Sequence, residues 1–383
     1  MVHWCSPRLA RRPAATLLLV FLMLGGVPLT ALPGQATSAQ QAREKLVLAF
    51  YYMWYGPGAF GSGQMPDSPA QPYVSNHVDV IERQVTEAKA AGIDSFITAW
   101  EGTNTETDDN FGPLLDVAAR HSFKTAAYFE TNYAKQKGDV AGQIQAVVDH
   151  FTGHPAYLRW QGKPVIFFWD PAALGGPAAW QAVRRRVDPN NGQIWSVDTT
   201  DAAYLDVFDT VHLFSAGKWN AGTDVAAVDR QWRAITDNYN RAHGTSRLWV
   251  AGVIPGWDES RVQPPRPAAK VFPRRDGALY KDEWDGATAS NPEWITITSY
   301  NEWFEGTQIE PSTSYGNRYL DLTRQYATAW KGPQAAPAPV APPSSCAGGQ
   351  FFEQTGHAVC GRMAAYWTAH GGLAQQGYPI SDE

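Results

Sequence analysis

Two glutamates near residue 300 are the side chains of this sequence best suited to do chemistry. Glu302 and Glu305 follow an apolar, β-branched run at 294–299. Breaking a glycosidic bond requires two carboxyl groups, one to protonate the leaving oxygen and one to support the positive charge at the anomeric carbon. Residues three apart on a regular strand face opposite sides, so these two share a pocket only if the chain turns at Gly306. A salt bridge from either glutamate to Arg261 or another cation is the simpler alternative.

Acidic and aromatic residues also follow the other predicted strands. In an α/β barrel the reactive side chains lie at the carboxyl ends of the strands, so we expect these residues to line one rim. For Glu130 and Asp170, a structural hydrogen bond is an equally good interpretation. The candidate substrate-binding residues are Tyr51, Tyr52, Trp54, Tyr55, Trp100, Glu130, Asp170, Trp257, Asp258, Arg261, Asn301 and Trp303.

Eight short apolar runs, separated by segments with helical periodicity, would position these residues. Eight buried strands, each followed by a crossover, predict an α/β fold, the (β/α)8 TIM barrel. An open doubly wound sheet is the alternative, but no G-x-G-x-x-G follows the first strand. The predicted strands are 46–52, 93–99, 125–129, 164–169, 194–197, 210–214, 248–253 and 294–299, and the clearest early helical segments are 78–91, 111–121 and 140–151.

Composition narrows the class of ligand. The formal net charge of −6 argues against nucleic acid, because phosphate contacts need clustered Lys and Arg. The 16 Trp, 16 Tyr and 16 Phe fit a carbohydrate ligand, although such rings usually serve the core. His150 and His154 lack an obvious third ligand, and neither H-E-x-x-H nor G-x-S-x-G occurs. We therefore expect no metal or other cofactor and no serine esterase.

The amino-terminal segment has the features of an export signal. Residues 1–39 combine three early arginines with an apolar run at 17–24 and small residues at 37–39. The run is too short to span a bilayer, and no later segment is expected to cross one. We predict a cleaved signal peptide and a secreted, extracellular or cell-surface protein, with an uncleaved anchor as the alternative.

The rest of the chain divides into three parts. We predict a barrel domain at 40–332, a Pro/Ala linker at 333–345 and a small module at 346–383. Cys346 and Cys360 are the only cysteines after the signal. An even pair in an exported protein suggests one disulfide, and two free thiols are the weaker interpretation.

Three segments together resemble glycoside hydrolase family 99. The most specific is Asn-Glu-Trp-Phe-Glu-Gly-Thr-Gln-Ile-Glu at 301–310. The run Tyr-Met-Trp-Tyr-Gly at 52–56 is similar to the family's Tyr-x-Trp-Tyr-Gly start, and 254–258, followed by Arg261, resembles its seventh-strand tail. The segments span the whole barrel. One departure is Phe304, where the family often has histidine or another polar residue.

The resemblance implies a retaining, metal-free enzyme related to endo-α-mannosidases and α-mannanases. By position, Glu302 would remove the proton from the sugar's own 2-hydroxyl, which forms a 1,2-anhydro sugar, and Glu305 would act as general acid and then base. We therefore expect a secreted endo-glycosidase that cuts an α-linked, mannose-containing oligo- or polysaccharide. The alternatives are a non-catalytic carbohydrate-binding barrel and a transglycosylating or polysaccharide-synthesis-associated enzyme.

The C-terminal tail carries a second, weaker resemblance. Tyr366-Trp367, the run at 370–373 and the run at 377–383 are similar to LGFP-type repeats, which occur on exported cell-surface proteins. A single copy of 38 residues either contacts cell-wall glycans or is a packing remnant.

Overall fold

The computed structural model describes residues 44–214, 224–266, 269–332, 349–352 and 357–373. The predicted signal peptide, the predicted linker and Cys346 lie outside these ranges. Their boundaries, and the disulfide between Cys346 and Cys360, therefore stay predictions. None of the helices in the described ranges has the length and apolar character that a membrane span requires.

Eight parallel strands close into a barrel. Each strand pairs with the next one along the chain, and the last pairs with the first, where Trp294 lies opposite Leu46. Ring closure confirms the predicted (β/α)8 barrel and excludes the open sheet. The strands are β1 (Leu46–Tyr51), β2 (Ser95–Trp100), β3 (Lys124–Glu130), β4 (Lys163–Trp169), β5 (Ile194–Asp198), β6 (Thr210–His212), β7 (Leu248–Val253) and β8 (Trp294–Ile297).

Amphipathic helices follow the strands along the chain and bury one face. Several of them begin at a residue whose side chain accepts a hydrogen bond from the first turn, as Thr105 and Asp139 do. The helices of the barrel are α1 (Val78–Ala90), α2 (Glu106–Arg120), α3 (Thr131–Lys137), α4 (Val140–His150), α5 (Pro177–Val187), α6 (Val225–His243), α7 (Ala278–Ala289) and α8 (Arg318–Lys331).

Short antiparallel strands supplement the barrel. Arg159–Trp160 pairs with β4, and Trp257–Asp258 pairs with Val271–Phe272. The second pair ties the two ends of the segment at 259–270, which lies after β7. Near the C-terminus, the strand Gln350–Phe352 pairs with the strand His357–Val359, which precedes helix α9 (Gly361–Ala369). This small unit lies within the predicted 346–383 module, whose likeness to LGFP repeats stays a prediction.

The interior of the barrel is filled with aromatic rings. Phe50 of β1 lies with its ring centroid 4.7 Å from that of Tyr128, 5.6 Å from that of His212 and 4.9 Å from that of Phe214. Side chains alternate between the two faces of a strand, so residues two positions after an inward ring also face inward. This alternation directs Tyr52 and Glu130 toward the mouth of the barrel.

Candidate active site

The segment after β8 forms a tight hydrogen-bonded turn that carries both candidate glutamates. The backbone N–H of Thr307 donates to the carbonyl of Glu302 at 3.2 Å, and that of Ser299 donates to the carbonyl of Thr307 at 2.9 Å. The chain therefore reverses between Glu302 and Glu305. The two side chains interact, because the charge of Glu305 contributes to a raised pKa of Glu302.

Gly306 is required for this reversal. Its φ of 60° lies in the left-handed region that side chains with a Cβ rarely adopt. A Cβ at this position would lie 2.8 Å from Cγ of Pro66 and 3.1 Å from the carbonyl oxygen of Asp258. The turn that the sequence required at Gly306 is thus present, and only glycine fits it.

Glu302 lies in a desolvated environment. The carboxylate of Glu302 accepts a hydrogen bond from the backbone N–H of Phe304 at 2.9 Å. The residue as a whole is 4% exposed to solvent. Burial raises the pKa of Glu302 well above its ordinary value, and the neighbouring charge of Glu305 adds to this effect. The Phe304 N–H and the cation of Arg266 act in the opposite direction.

Glu305 forms an ion pair with a partner that the sequence did not reveal. Nη1 of Arg266 lies 2.5 Å from Oε1 of Glu305 and 2.5 Å from Oε2 of Glu259. Hydrogen bonds and charge interactions with these two carboxylates raise the pKa of Arg266, although burial acts against them. The salt bridge anticipated as the simpler alternative therefore exists, with Arg266 as the cation; Arg261 is exposed. The side chain of Glu305 is 12% exposed, so solvent reaches it.

Further acidic groups surround the two glutamates. Glu130, at the end of β3, is buried, and burial raises its pKa well above the ordinary value. The charges of Glu101, Glu302, Glu305 and Asp198 act in the same direction. Burial and the charges of Glu302, Glu130 and Glu305 also raise the pKa of the Tyr52 phenol. Tyr52 and Glu130 thus lie in the electrostatic field of the glutamate pair.

Two predicted substrate contacts instead face the helical layer. The Tyr51 hydroxyl donates to Oε1 of Gln84 on α1 at 2.5 Å, and its ring stacks on Phe96 at 4.2 Å. Trp100 donates from Nε1 to Asp108 at the start of α2, at 2.9 Å. Both residues are fully buried at strand positions that face away from the barrel interior, so their packing gives them a structural role.

Asn301 and Tyr55 fasten the turn to the segment after β1. Oδ1 of Asn301 accepts from the backbone N–H of Tyr52 at 2.8 Å, and Nδ2 donates to the Tyr52 carbonyl at 2.9 Å. The Tyr55 hydroxyl donates to the Asn301 carbonyl at 2.8 Å and accepts from the Trp303 N–H at 3.1 Å. These contacts use the polar groups internally, so Asn301, Tyr55 and Trp303 position the site.

Glu310 also holds the turn, through three hydrogen bonds to its carboxylate. Its carboxylate accepts from the Tyr73 hydroxyl at 2.9 Å, from Nε2 of Gln84 at 2.7 Å and from Nε1 of Trp303 at 3.1 Å. Burial raises the pKa of Glu310 to about 7, with these donors acting against the rise. The last glutamate of the 301–310 motif is therefore structural.

The remaining predicted residues occupy the rim. Trp54 is partly buried, with its ring 4.5 Å from that of Tyr52. Trp257 is buried near Phe214, and the Asp258 N–H donates to the Glu305 carbonyl at 2.7 Å. Asp170 is partly exposed after β4. For Asp170 and Arg261, no contact with the glutamates is present among the described residues.

A buried arginine that the sequence did not single out also holds the turn. Arg274 is buried, and Nη2 donates to the carbonyls of Gly306 at 2.9 Å and Gln308 at 2.7 Å. Its guanidinium packs on Tyr315 at 4.8 Å and on Tyr319 at 4.3 Å. No local pattern marks such a residue, because its partners lie more than 30 positions away.

The described residues contain no group of three or more His, Cys, Asp or Glu side chains placed to hold a metal ion. The arrangement consists of two glutamates with different surroundings, one desolvated and one ion-paired, within an acidic and aromatic rim. It is suited to proton transfer and to stabilisation of a positively charged transition state.

Comparison with known proteins finds a family model and relatives that match most of the barrel. The model of the family described as glycosyl hydrolase family 99 matches residues 66–328, more than half of the chain. A mouse glycoprotein endo-alpha-1,2-mannosidase-like protein is 25% identical over 349 residues, covering 73% of this chain and 75% of the relative. Mouse glycoprotein endo-alpha-1,2-mannosidase is 23% identical over 362 residues, covering 78% and 76% respectively.

Solved structures agree on the fold. A GH99 endo-alpha-mannosidase from Bacteroides thetaiotaomicron superposes with a TM-score of 0.64 at 24% identity, covering 75% of this chain and 97% of that protein. A glycoside hydrolase-like protein gives a TM-score of 0.55 at 16% identity, covering 74% and 94%.

Gly256→Ala tests whether the Arg274 contact holds the turn. A Cβ on Gly256 would collide with Cγ of Arg274 and lie 3.1 Å from the Phe272 carbonyl. We expect a loss of about 1–3 kcal/mol in the free energy of unfolding, measured by urea denaturation, and a lower kcat. Gly61→Ala is the control, because a Cβ there meets nothing within 4 Å. Equal stability and activity of the two variants would remove Arg274 from the positioning of the turn.

Proposed function

The chain belongs to glycosyl hydrolase family 99 and is therefore a glycoside hydrolase, and we propose that it cleaves α-linked, mannose-containing glycans within the chain of sugars. The observation that carries the proposal is the turn after β8, which gives Glu302 and Glu305 one shared site with two different environments. The names of the mannosidase relatives support mannose as the sugar class.

The proposed reaction proceeds in two balanced steps. In the first, Glu302 removes the proton of the sugar's 2-hydroxyl, and the oxygen attacks the anomeric carbon as the glycosidic bond breaks. Glu305 gives its proton to the departing oxygen, which leaves a 1,2-anhydro sugar. In the second, Glu305 takes a proton from water, and the water oxygen bonds to the anomeric carbon as the bond between that carbon and the 2-oxygen breaks. Glu302 returns its proton to the 2-oxygen. The configuration is retained.

The environment of Glu302 supports a role as base. Burial raises the pKa of Glu302, so its carboxylate is a stronger base than an ordinary glutamate once substrate binding has left it ionised. The carboxylates around it, including Glu130, supply negative charge near a positively charged anomeric centre. Tyr52 and Trp54 would present ring faces to the sugar.

Phe304 sets the character of one wall of the site. Its ring lies 6.0 Å from that of Tyr55, in a stacked arrangement, and the residue is partly buried. An apolar ring at a position that is often polar in the family favours the C–H face of a sugar over its hydroxyls. We therefore propose that residue 304 helps to select which mannose-containing glycan is bound.

Export and the C-terminal module are also part of the proposal. The basic head, apolar run and small residues of 1–39 support secretion to the cell exterior or surface. Residues 346–383 would form a separate module after the linker, with contact with cell-wall glycans as its proposed role.

Glutamine substitutions test the two roles separately. Glu302→Gln and Glu305→Gln should each lower turnover of an unactivated mannan by roughly 100-fold or more, because each removes one proton transfer. A substrate whose leaving group needs no proton should restore much of the first step in Glu305→Gln and none in Glu302→Gln. The measurement is reducing-end release, with binding followed by calorimetry.

Glu106→Gln, on the exposed start of α2, is the matched control and should behave as wild type. Near-wild-type turnover of Glu305→Gln on the unactivated glycan would remove that residue from the mechanism. If Glu302→Gln lost affinity for the glycan rather than turnover rate, Glu302 would determine substrate specificity instead of acting as the base.

Removal of residues 333–383 tests the domain boundaries. Because the barrel closes within residues 46–297 and α8 ends at Lys331, the shortened protein should keep its melting temperature and its kcat on soluble glycan. Unfolding of the shortened protein in a thermal melt would show that the barrel depends on the tail.

A further inference from the structure

We propose that Arg266 is a catalytic counter-ion that changes partner during the reaction. In the free enzyme it is shared by Glu305 and Glu259; when substrate binds, it withdraws to Glu259, and Glu305 can then carry the proton that the leaving oxygen needs. The inference rests on the proposed role of Glu305 as the general acid.

The geometry of the three groups suggests a movable cation between two fixed acids. One nitrogen, Nη1 of Arg266, contacts both carboxylates at 2.5 Å. Glu259 is held in place: it is 3% exposed, and its other oxygen accepts from the Lys270 N–H at 2.8 Å. The side chain of Arg266 is 42% exposed. The arginine therefore has solvent-side freedom that its two partners lack.

The ion pair conflicts with general-acid catalysis as it stands. A charge-assisted hydrogen bond from a guanidinium stabilises the ionised carboxylate, whereas an acid must hold a proton when the leaving oxygen departs. Arg266 also occupies Oε1 of Glu305, one of the two oxygens that a leaving group could approach. A sugar bound beyond the scissile bond would compete with the guanidinium for this position.

Glu259 provides the place to which Arg266 can withdraw. Glu259 has little exposure, and a buried carboxylate is stabilised by a nearby cation, so Glu259 favours keeping Arg266 close. Because Glu259 keeps Arg266 paired after it leaves Glu305, the displacement does not strand a charge. The pairing of Trp257–Asp258 with Val271–Phe272 ties the two ends of the segment that carries Glu259 and Arg266.

Several titratable groups share the field of Arg266. Burial raises the pKa of Glu302, which lies on the turn with Glu305, and the pKa of Tyr133 on α3. The charge of Arg266 lowers both pKa values. Glu130 of β3 and Asp198 of β5 add negative charge from the opposite side of the mouth. Removal of Arg266 should therefore favour protonation of both catalytic glutamates.

The test compares pH profiles of wild type and Arg266→Met. The profile of kcat/KM reports the free enzyme, and that of kcat reports the substrate complex. If Arg266 acts on Glu305 only before binding, the alkaline limb of kcat/KM in wild type lies at lower pH than that of kcat. In Arg266→Met the alkaline limb of kcat/KM should move up by about 1 pH unit or more, toward that of kcat.

Two further variants keep the test decisive. Glu259→Gln leaves Arg266 with Glu305 as its charged partner, so the alkaline limb of kcat/KM should move to lower pH and kcat should fall. Arg186→Met, which breaks an exposed ion pair with Asp139 at 2.8 Å, should leave both profiles unchanged. A general loss of stability would not move the alkaline limb of kcat/KM in opposite directions in Arg266→Met and Glu259→Gln. Thermal melts of both variants would report such a loss.

The outcomes separate this inference from the proposed function. Unchanged limbs in Arg266→Met, together with an inactive Glu305→Gln, would overturn the role of Arg266 and leave the acid in place. An active Glu305→Gln would instead overturn the proposed function. A kcat limb that shifts as much as the kcat/KM limb would show that Arg266 stays on Glu305 in the complex, contrary to the inference.

Discussion

The repulsion between two carboxylates held in one buried turn is the constraint on which the rest of the site depends. Burial removes the water that would stabilise Glu302, and the charge of Glu305 adds to the cost of ionising it. The structure offsets this cost with a backbone N–H from Phe304 and with the cation of Arg266. These compensating groups lie on different segments, so the site exists only when the barrel brings β7 and β8 side by side.

The turn keeps its shape because its backbone is held from three directions. Asn301 pairs with Tyr52 after β1, Glu310 binds Trp303 from below, and Arg274 donates to two carbonyls from behind. A network whose polar groups are satisfied rigidifies its surroundings, and a rigid turn holds charged side chains without reorganisation during the reaction. The proposed chemistry of the two glutamates therefore depends on residues whose polar groups bind the turn itself.

The sequence predicts the barrel well because the strands are short apolar runs and most of the crossovers between them have helical period. It also singles out Glu302 and Glu305 as the proposed catalytic pair, since acids directly after a strand have little to do with packing. It assigns Tyr51 and Trp100 to the rim, whereas both face the helices, because one position along a strand reverses the direction of a side chain. Arg266 and Arg274 could not be recognised, because their partners lie 39 and 32 positions away and no local pattern encodes such contacts.

The two glutamates have, in the free enzyme, environments opposite to those that their proposed roles require. Burial favours a proton on Glu302, the proposed base, while Arg266 favours the ionised form of Glu305, the proposed acid. Two coupled carboxyl groups that share one proton titrate as a pair, so the proton can be located on either residue without a change in total charge. Binding of a sugar between them must therefore reverse its location. The proposed withdrawal of Arg266 from Glu305 would remove an interaction that opposes this reversal, whereas a fixed Arg266 would favour the proton on Glu302.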